Sequence, residues 1–220
     1  MANSTRTFAV IGLGNFGGTV AKELVRFGNY VIGIDRDERI VSDFAEVLSH
    51  AVIVDSRDDA ALREAGVGDC DVGLIAMGED LESSVLSAMN LKLIGVGQVW
   101  AKAVSRTHHR ILSRLGVDRV IHPEEDMGRH IAQMLHTPFV RDYVSLGNSF
   151  HVVNFALPER LEGTTLADLK LARRDLRCVG VMRGTEWLGD GLSCAQQLKP
   201  DDRILLLGRR ADLRDFTSAI

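Results

Sequence analysis

Short apolar runs recur along the first half of the chain, each rich in Val, Ile and Ala and hardly interrupted by polar residues. Such continuous apolarity is typical of strands that are buried on both faces, so the pattern predicts the strands of a parallel sheet. The six runs are FAVIG from Phe8, YVIGID from Tyr30, AVIVD from Ala51, DVGLIAMG from Asp71, QVWAKA from Gln98 and RVIHP from Arg119.

Between these runs, apolar residues step by three or four positions, which predicts helices that cover the sheet with those faces. Strands that alternate with helices predict an α/β fold, a Rossmann-type doubly wound parallel sheet that binds ligand at the carboxyl ends of its strands. The three stripes are Val20, Leu24 and Phe27; then Ile40, Phe44 and Leu48; then Leu81, Val85, Met89 and Leu93.

The pattern changes in the last third of the chain. Residues 124–135 predict a helix that leaves the sheet, Pro138 is expected to end it, and residues 140–149 predict a connector. We therefore expect two domains, residues 1–145 and 146–220. The second is predicted to be a small α+β domain, which pairs with a copy of itself because it is too small to enclose a substrate alone. Its expected elements are strands FHVVNFAL, RCVGVMR, Glu186–Leu188 and RILLLG, a short helix opened by Thr164 or Thr165, and a final helix from Ala211.

Composition excludes several classes of protein. With 45% hydrophobic residues, 25% charged residues and a net charge of −4, the chain is typical of a globular protein and lacks the basic surplus of a nucleic-acid binder. Three cysteines without a CxxC pair indicate neither a disulfide framework nor a zinc site. Since no apolar stretch approaches the ~18 residues of a membrane span, we expect a cytoplasmic protein.

The string GLGNFG carries the most specific chemistry. It places Gly12, Gly14 and Gly17 in GxGxxG spacing, with Asn15 and Phe16 inside the motif, directly after a predicted strand and before a predicted helix. In that context the glycines allow a sharp turn, an approach of backbone to a pyrophosphate, and close packing of helix and strand. A purely structural turn is the alternative.

An acidic residue follows at the place where dinucleotide-binding folds hold the ribose. Asp35 closes the second predicted strand and would accept hydrogen bonds from ribose hydroxyls while repelling a 2′-phosphate. NAD(H), ATP or ADP is thus favoured over NADP, although the neighbouring Arg36 leaves NADP open. A solvated aspartate at a strand end is the alternative.

The ends of the other strands supply further candidates. Asp55 and Ser56, after the third strand, lie where the adenine is expected. The residues after the fourth strand, Ala76, Met77 and Gly78, would flank the phosphates, although a tight loop explains them equally well.

The string HPEEDMG offers Glu124 as a ligand for a divalent cation or as a contact to a neighbouring subunit's nucleotide. Helix capping explains acidic residues at this position as well. The adjacent His108 and His109 are expected at the surface. No catalytic triad, metal-ligand cluster or Walker-type lysine is present in the sequence, and a dehydrogenase would need a proton donor near the nicotinamide that we do not find. We therefore expect no enzyme activity.

Four strings resemble the KtrA and TrkA group of cytosolic regulators of bacterial potassium uptake, whose units are called RCK domains. The resemblance covers nearly the whole chain. It implies a nucleotide-binding N-terminal domain with a crossover helix that pairs subunits, and a C-terminal domain that also dimerises. The strings are FAVIGLGNFGG, VIGIDRDERIV, VWAKAVSRTHHRILSRLGVDRVIHPEEDMG and LKPDDRILLLGRRADLRDF.

The resemblance also implies partners. Family members form homo-oligomeric rings, commonly octamers, beneath a membrane potassium-translocating subunit of the KtrB or TrkH kind. This would place the chain at the inner face of the cell membrane. In the family, ATP favours the conducting arrangement and ADP the inactive one, while NAD(H) binds some relatives.

Carried across by position, the family's phosphate-loop glycines fall on the three glycines of GLGNFG, its ribose carboxylate on Asp35 and its cation-linked glutamate on Glu124. Lys102, within VWAKA, is a further nucleotide-binding candidate. The sequence departs from the family at Asn15, where an arginine is common, so discrimination between ATP and ADP is open. Some members bind cyclic di-AMP, for which Arg173, Arg174, Val179 and Val181 lie in the corresponding region without forming an indicative pattern.

The sequence thus predicts a nucleotide-gated regulatory subunit. A small NAD-dependent oxidoreductase completed by oligomerisation is the alternative, and a nucleotide-sensing transcription factor is disfavoured because no basic helix-turn-helix pattern is present.

Overall fold

Two separate sheets contain the apolar runs in the part of the chain that the computed structural model describes, residues 5–78, 80–137, 139–189 and 197–219. The chain divides into two compact units, Met1–Glu124 and Glu125–Ile220, and each unit has one of the sheets.

The first unit confirms the predicted doubly wound parallel sheet. Its six strands are all parallel and lie in the order β3-β2-β1-β4-β5-β6, so the direction of winding changes between β1 and β4. A crevice at that point, outside the carboxyl ends of the strands, is where such sheets bind ligands. The strands are β1 (Thr7–Ile11), β2 (Tyr30–Asp35), β3 (His50–Ile53), β4 (Val72–Ile75), β5 (Gln98–Lys102) and β6 (Arg119–Ile121).

Helices cover both faces of this sheet. One apolar core includes Ala21 and Phe44 from the first two helices, and the other includes Leu62, Leu91 and Leu112 from the next three. None of the described helices is long and apolar enough to cross a membrane. These helices are α1 (Asn15–Arg26), α2 (Glu38–Phe44), α3 (Asp59–Glu64), α4 (Leu81–Ile94) and α5 (Arg106–Arg114), with a short 3₁₀ helix at Val67–Asp69. The next helix, α6 (Pro123–His136), begins where the chain divides into its two units and has no buried residue.

The buried face of α4 differs from the predicted one. The expected stripe points largely outward, since Leu81, Met89 and Leu93 are 43%, 48% and 67% exposed. The face toward the sheet instead combines small and apolar residues, Ser83, Ser84, Ser87, Ala88, Leu91 and Ile94. Because small side chains let a helix lie close to its neighbours, packing overrides the apolar stripe here.

The serines on this face make hydrogen bonds, which removes the cost of burying them. The Ser87 hydroxyl donates to the carbonyl oxygen of Ser83 at 2.6 Å, and the Ser84 hydroxyl lies 3.1 Å from Nε2 of His108. His108 is therefore buried and not on the surface as expected, and burial lowers its pKa. His109 is half-buried, with its Nδ1 2.9 Å from Nε2 of His122.

The second unit is built on an antiparallel sheet, which confirms the predicted α+β domain. Its strands lie in the order β10-β9-β11-β8-β7. The final helix, α7 (Arg210–Ala219), packs through Leu213 and Phe216 on a core that includes Phe155 and Leu206. The strands are β7 (Val140–Gly147), β8 (Phe150–Ala156), β9 (Arg177–Arg183), β10 (Glu186–Gly189) and β11 (Asp202–Arg209), and short 3₁₀ helices lie at Glu159–Leu161 and Leu171–Arg174.

Two predicted features of this unit are wrong. The expected connector is the edge strand β7, whose residues are mostly exposed and which pairs with β8. The helix expected at Thr164 or Thr165 is a series of turns. There the Asp168 carboxylate accepts hydrogen bonds from the Thr165 amide and hydroxyl at 2.8 and 2.7 Å, a local pattern that competes with a helix.

The compact units divide near the start of α6, earlier than the domain boundary predicted near residue 145. The difference arises because β7 pairs with β8 and so belongs to the second sheet. In addition, His130 of α6 lies 3.5 Å from the carboxylate of Asp142 on β7. Pro138, the predicted stop for α6, lies outside the described residues.

A buried ion pair joins β9 to β11. The Asp202 carboxylate is fully buried and accepts hydrogen bonds from Nε and Nη2 of Arg183, both at 2.8 Å, and from the Lys199 amide at 2.8 Å. Burial alone would raise the pKa of Asp202, but these bonds outweigh it and the pKa is lowered. The carboxylate is therefore charged in the folded protein.

We expect Asp202→Ala to destabilise the protein by about 2–4 kcal/mol, because it leaves the Arg183 guanidinium and the Lys199 amide without their acceptor. Urea unfolding followed by circular dichroism measures this loss. The matched control, Asp215→Ala on the exposed surface of α7, should stay within about 0.5 kcal/mol of wild type.

The ion pair between Asp202 and Arg183 also makes the stability lost in Asp202→Ala depend on pH. Since the folded-state pKa of Asp202 is lowered, its contribution is present above the ordinary aspartate pKa of about 3.9 and disappears as the pH falls through the folded value. The difference between wild type and Asp202→Ala should shrink below about pH 4. A difference that grows in acid would contradict this account.

Candidate functional site

A cavity of about 540 Å³ opens at the carboxyl ends of the strands of the first unit. Its volume is within the range of small-ligand sites. The structure brings nearly all of the predicted binding residues together around it, namely Gly12, Gly14, Asn15, Phe16, Asp35, Arg36, Asp55, Ser56, Ala76, Met77, Gly78, Lys102 and Glu124. Gly17 is the exception, since it does not line the cavity.

The N-terminus of α1 faces this cavity without a protein cap. Gly14 occupies the N-cap position, and within the described residues no side chain bonds to the first turn, which also has no acidic residue. By contrast, the N-cap side chain of each of the next four helices accepts a hydrogen bond from an amide of the first turn. These N-cap residues are Asp37 for α2, Asp58 for α3, Asp80 for α4 and Ser105 for α5. The amides at the start of α1 and the helix dipole are thus available to an anion.

Each of the three positions in the motif is occupied by glycine for a different physical reason. Gly12 has a φ of +88°, a left-handed conformation that side chains disfavour. A Cβ at Gly17 would overlap the Gly12 carbonyl oxygen and lie 2.7 Å from the Cβ of Ala76, so Gly17 serves helix packing. A Cβ at Gly14 would have no atom within 4 Å, and this glycine leaves open the space in front of the helix.

Asp35 is held in place by backbone amides. One carboxylate oxygen accepts from the Leu13 amide at 2.8 Å, and the other accepts from the Asp37 amide at 3.1 Å. Each oxygen keeps a further lone pair that a hydroxyl can use. The residue at the end of β2 is therefore oriented by the glycine turn and able to accept hydrogen bonds from a diol.

Beyond Asp35, the cavity continues along the ends of β2 and β3. Ile40 and Val54 supply apolar surface there, and Arg36 and Asp55 supply charge. Asp55 is paired with Arg57, whose Nη2 donates to the carboxylate at 2.6 Å. The hydrogen bonds from the Arg57 side chain, with the one from its backbone amide, lower the pKa of Asp55 to about 2.

Ser56, the neighbour of Asp55, is buried under the cavity wall. Its hydroxyl lies 2.7 Å from the hydroxyl of Ser87, and its carbonyl oxygen accepts from the Asn90 side chain at 3.0 Å. These bonds join the end of β3 to α4. Ser56 is thus placed to shape the wall through its backbone.

The opposite end of the cavity is charged. The Lys102 ammonium, at the end of β5, forms an ion pair with the Glu124 carboxylate and lies 5.9 Å from the ring centroid of Phe16. The hydrogen bond from Lys102 lowers the pKa of Glu124. Among the described residues, no three His, Cys, Asp or Glu side chains form a group that could hold a metal ion.

Six lining residues were not predicted from the sequence, Ile11, Ile34, Ile40, Val54, Asp80 and Ser83. Asp80 caps α4 by accepting from the amide of Ser83 at 3.0 Å and from its hydroxyl at 2.6 Å, which lowers the pKa of Asp80. The helix start at Asp80 was a signal that could have identified this pair. Ile40 and Val54 look like ordinary core residues in the sequence.

The residues considered for a cyclic dinucleotide are spread over different environments of the second unit. Val181 is fully buried in the core, whereas Val179 is 41% exposed. Arg174 lies with its guanidinium carbon 5.8 Å from the ring centroid of Phe216. This arrangement adds no support for a cyclic dinucleotide site.

Comparison with known proteins gives matches over the whole chain. The TrkA-N domain family model matches residues 8–123. The Ktr system potassium uptake protein C of Bacillus subtilis (strain 168) is 35% identical over 216 residues, which cover 98% of this chain and 97% of that protein. The Ktr system potassium uptake protein A of the same organism is 33% identical over 214 residues, covering 96% and 95% of the two chains.

Solved structures agree in fold. A structure of the GsuK channel bound to NAD matches with a TM-score of 0.53 and 19% identity, covering all of this chain and 40% of that one. At this level of identity the likeness concerns the fold alone.

The packing of α1 yields a stability prediction. We expect Gly17→Ala to destabilise the first unit by about 3 kcal/mol or more, because its Cβ would overlap the backbone of Gly12. The matched variant Gly14→Ala meets no atom within 4 Å and should stay within about 1 kcal/mol of wild type. Urea unfolding measures both variants, and equal losses would contradict the packing role of Gly17.

Proposed function

Because this chain belongs to the TrkA-N domain family and to its KtrA-type branch of potassium-uptake regulators, we propose that it is a nucleotide-binding regulatory subunit of a potassium transport system. In this proposal it binds an adenine nucleotide in the cavity of the first unit, and it gates a membrane subunit without catalysing a reaction. Its place is the cytoplasmic face of the membrane.

The observation that carries the nucleotide proposal is the uncapped N-terminus of α1 next to Asp35. The free amides and the helix dipole suit a diphosphate, and the Asp35 carboxylate suits the two hydroxyls of a ribose. A nucleotide has a phosphate and a ribose diol, which would fit these two neighbouring sites.

Several adenine nucleotides fit this description. Asn15 stands where the family commonly has an arginine, and an amide stabilises the extra charge of ATP over ADP much less than a guanidinium does. We therefore propose NAD(H) and ADP as candidate ligands beside ATP. The GsuK channel, which shares the fold, has been solved with NAD.

The far end of the cavity offers a charge-based response to the ligand. Lys102 is 14% exposed, and its ammonium is the nearest described partner of the Glu124 carboxylate. A terminal phosphate would compete with Glu124 for Lys102 and leave the carboxylate able to contact a divalent cation. Further ligands for that cation would come from the phosphates or from a second subunit.

We also propose that the chain acts as a homo-oligomer, with dimers assembling into an octameric ring. Two exposed apolar stripes support this. One is the stripe on α4, and the other comprises Met127, Ile131 and Leu135 on α6, which are 57%, 41% and 79% exposed. None of the residues of α6, all of which the structure describes, is buried. Contiguous exposed apolar surface is typical of protein interfaces.

The domain proposal follows the family. The first unit would form the N-terminal RCK domain with α6 as the crossover helix that follows it, and the sheet that begins with β7 would form the C-terminal RCK domain. A ligand can shift the gate only by the difference in its affinity for two ring shapes, typically about 1–3 kcal/mol per site. Several identical sites would make the response steep.

Nucleotide binding is tested by calorimetric titration of the full chain with ATP, ADP, NAD and NADH. We expect at least one of them to bind, and Asp35→Ala to weaken that binding by about tenfold or more, because the ribose loses its acceptor. Gly14→Ala should also weaken it, since the new Cβ occupies the space in front of the helix. The control, Asp43→Ala on the exposed side of α2, should bind as wild type does. Unchanged affinity in the Asp35 variant would refute the ribose assignment.

Assembly is tested by light scattering after size-exclusion chromatography. We expect Leu135→Glu to give a smaller particle than wild type, because a charge in the α6 stripe would be buried without a partner. Far-ultraviolet circular dichroism should be unchanged, since Leu135 is mostly exposed within one chain. The control is Ala132→Glu, at an exposed position of α6 outside the stripe. A wild-type monomer, or equal masses for the three proteins, would count against the assembly.

A further inference from the structure

Two histidines meet immediately before the start of α6. Nδ1 of His109, on α5, lies 2.9 Å from Nε2 of His122, the residue between β6 and α6. The two ring centroids are 5.1 Å apart, and the ring planes differ by 13°. The centroid distance exceeds the nitrogen distance by close to the diameter of an imidazole ring, so both nitrogens lie on the line between the centroids. The rings therefore meet edge to edge in nearly one plane.

This arrangement suits a hydrogen bond and excludes a metal ion between the two rings. A metal–imidazole bond is about 2.0–2.1 Å long, so an ion on the line between the facing nitrogens would need them about 4 Å apart. One ring instead donates through its N–H and the other accepts with its lone pair. The pair is thus a directional contact between α5 and the residue that precedes α6.

The α5 side of this contact is fixed to the core of the first unit. His108 and Leu112, on either side of His109 in the sequence, are fully buried. The Ser105 hydroxyl accepts a hydrogen bond from the His108 amide at 3.1 Å and so caps the helix. His109 therefore projects from a helix that the core and a cap hold in place.

The α6 side is held more lightly. No residue of α6 is buried, so packing in a core does not position its first turn. The backbone before it has little freedom, because the Ile121 carbonyl oxygen accepts from the Ala103 amide at 2.8 Å and His122 precedes Pro123. Where the His122 ring is held thus constrains where the first turn of α6 begins.

Glu124 belongs to that first turn. Its carboxylate is mostly exposed, whereas its partner Lys102 is largely buried at the end of β5. Because little packing surrounds the carboxylate, the position of its backbone decides whether it meets the Lys102 ammonium. Lys102 also lines the cavity, so the contact between the histidines reaches the cavity through this ion pair.

Resting on the proposed function, we propose that His109 and His122 are a positioning pair. Their hydrogen bond fixes the start of α6 so that Glu124 meets Lys102, and it thereby limits how strongly Lys102 binds the terminal phosphate of a nucleotide. Neither histidine contacts the ligand in this proposal.

Calorimetric titration of the full chain with AMP, ADP and ATP tests this role. The three ligands differ only in the number of phosphates, so each added phosphate has its own gain in affinity. Lys102→Met should reduce one of these gains, which identifies the phosphate that reaches Lys102. In His109→Phe, which keeps a ring without ring nitrogens, we expect the same gain to rise about threefold, because Glu124 competes less well for Lys102.

Matched variants separate the hydrogen bond from packing. His122→Phe should raise the gain as His109→Phe does, and the double variant should raise it no further, because all three lack the same bond. His109→Asn should keep the wild-type gain, since its amide can bond to His122 from the place of Nδ1. Ser113→Phe, at an exposed position of α5, is the control for added bulk. In the Lys102→Met background, His109→Phe should change no gain.

The outcomes distinguish this inference from the proposed function. Unchanged gains in both Phe variants, no effect of Lys102→Met on any gain, or an increase that persists without Lys102 would overturn the role of the pair while nucleotide binding stands. If wild type binds none of the three nucleotides, the proposed function fails as well. Where a Phe variant does not fold, the Ala variant at the same position, which adds no bulk, takes its place.

Discussion

The close approach of α1 to the turn after β1 is the contact on which the cavity depends. It requires Gly17, where a Cβ would overlap the backbone of Gly12, and it brings uncapped amides to the carboxyl end of β1. The amide of Leu13, in the same turn, donates to Asp35 and so ties the turn to β2. One steric condition thus brings uncapped helix amides and an oriented carboxylate to the same edge of the sheet.

Charge around the cavity is arranged in pairs. Asp55 is engaged by Arg57 at one end, Glu124 by Lys102 at the other, and Asp80 by the start of α4. Pairs of this kind are partly exposed, so they add little to stability by themselves. Their effect is to fix the position and protonation of groups that a ligand would meet, and a ligand able to compete for one partner changes the environment of the other. Such competition is a direct physical route from binding to a change in local structure.

The two units differ in how they hold polar groups. The first buries serines against α4 and His108 with local hydrogen bonds, while the second buries Asp202 completely and neutralises it with Arg183. Apolar side chains, in contrast, remain exposed on α4 and α6. These exposed apolar stripes are the feature on which the proposed assembly rests.

From the sequence alone one could predict the alternating strands and helices of the first unit, the glycine turn, Asp35 and most of the cavity lining, because these depend on local periodicity and on which residues end parallel strands. Other features needed the tertiary structure. The buried face of α4, the burial of His108 and the edge strand β7 depend on neighbours distant in the sequence, and the Lys102–Glu124 pair joins the ends of β5 and β6. Local patterns specify a backbone conformation, but which faces are buried and which charges meet is decided by packing between elements.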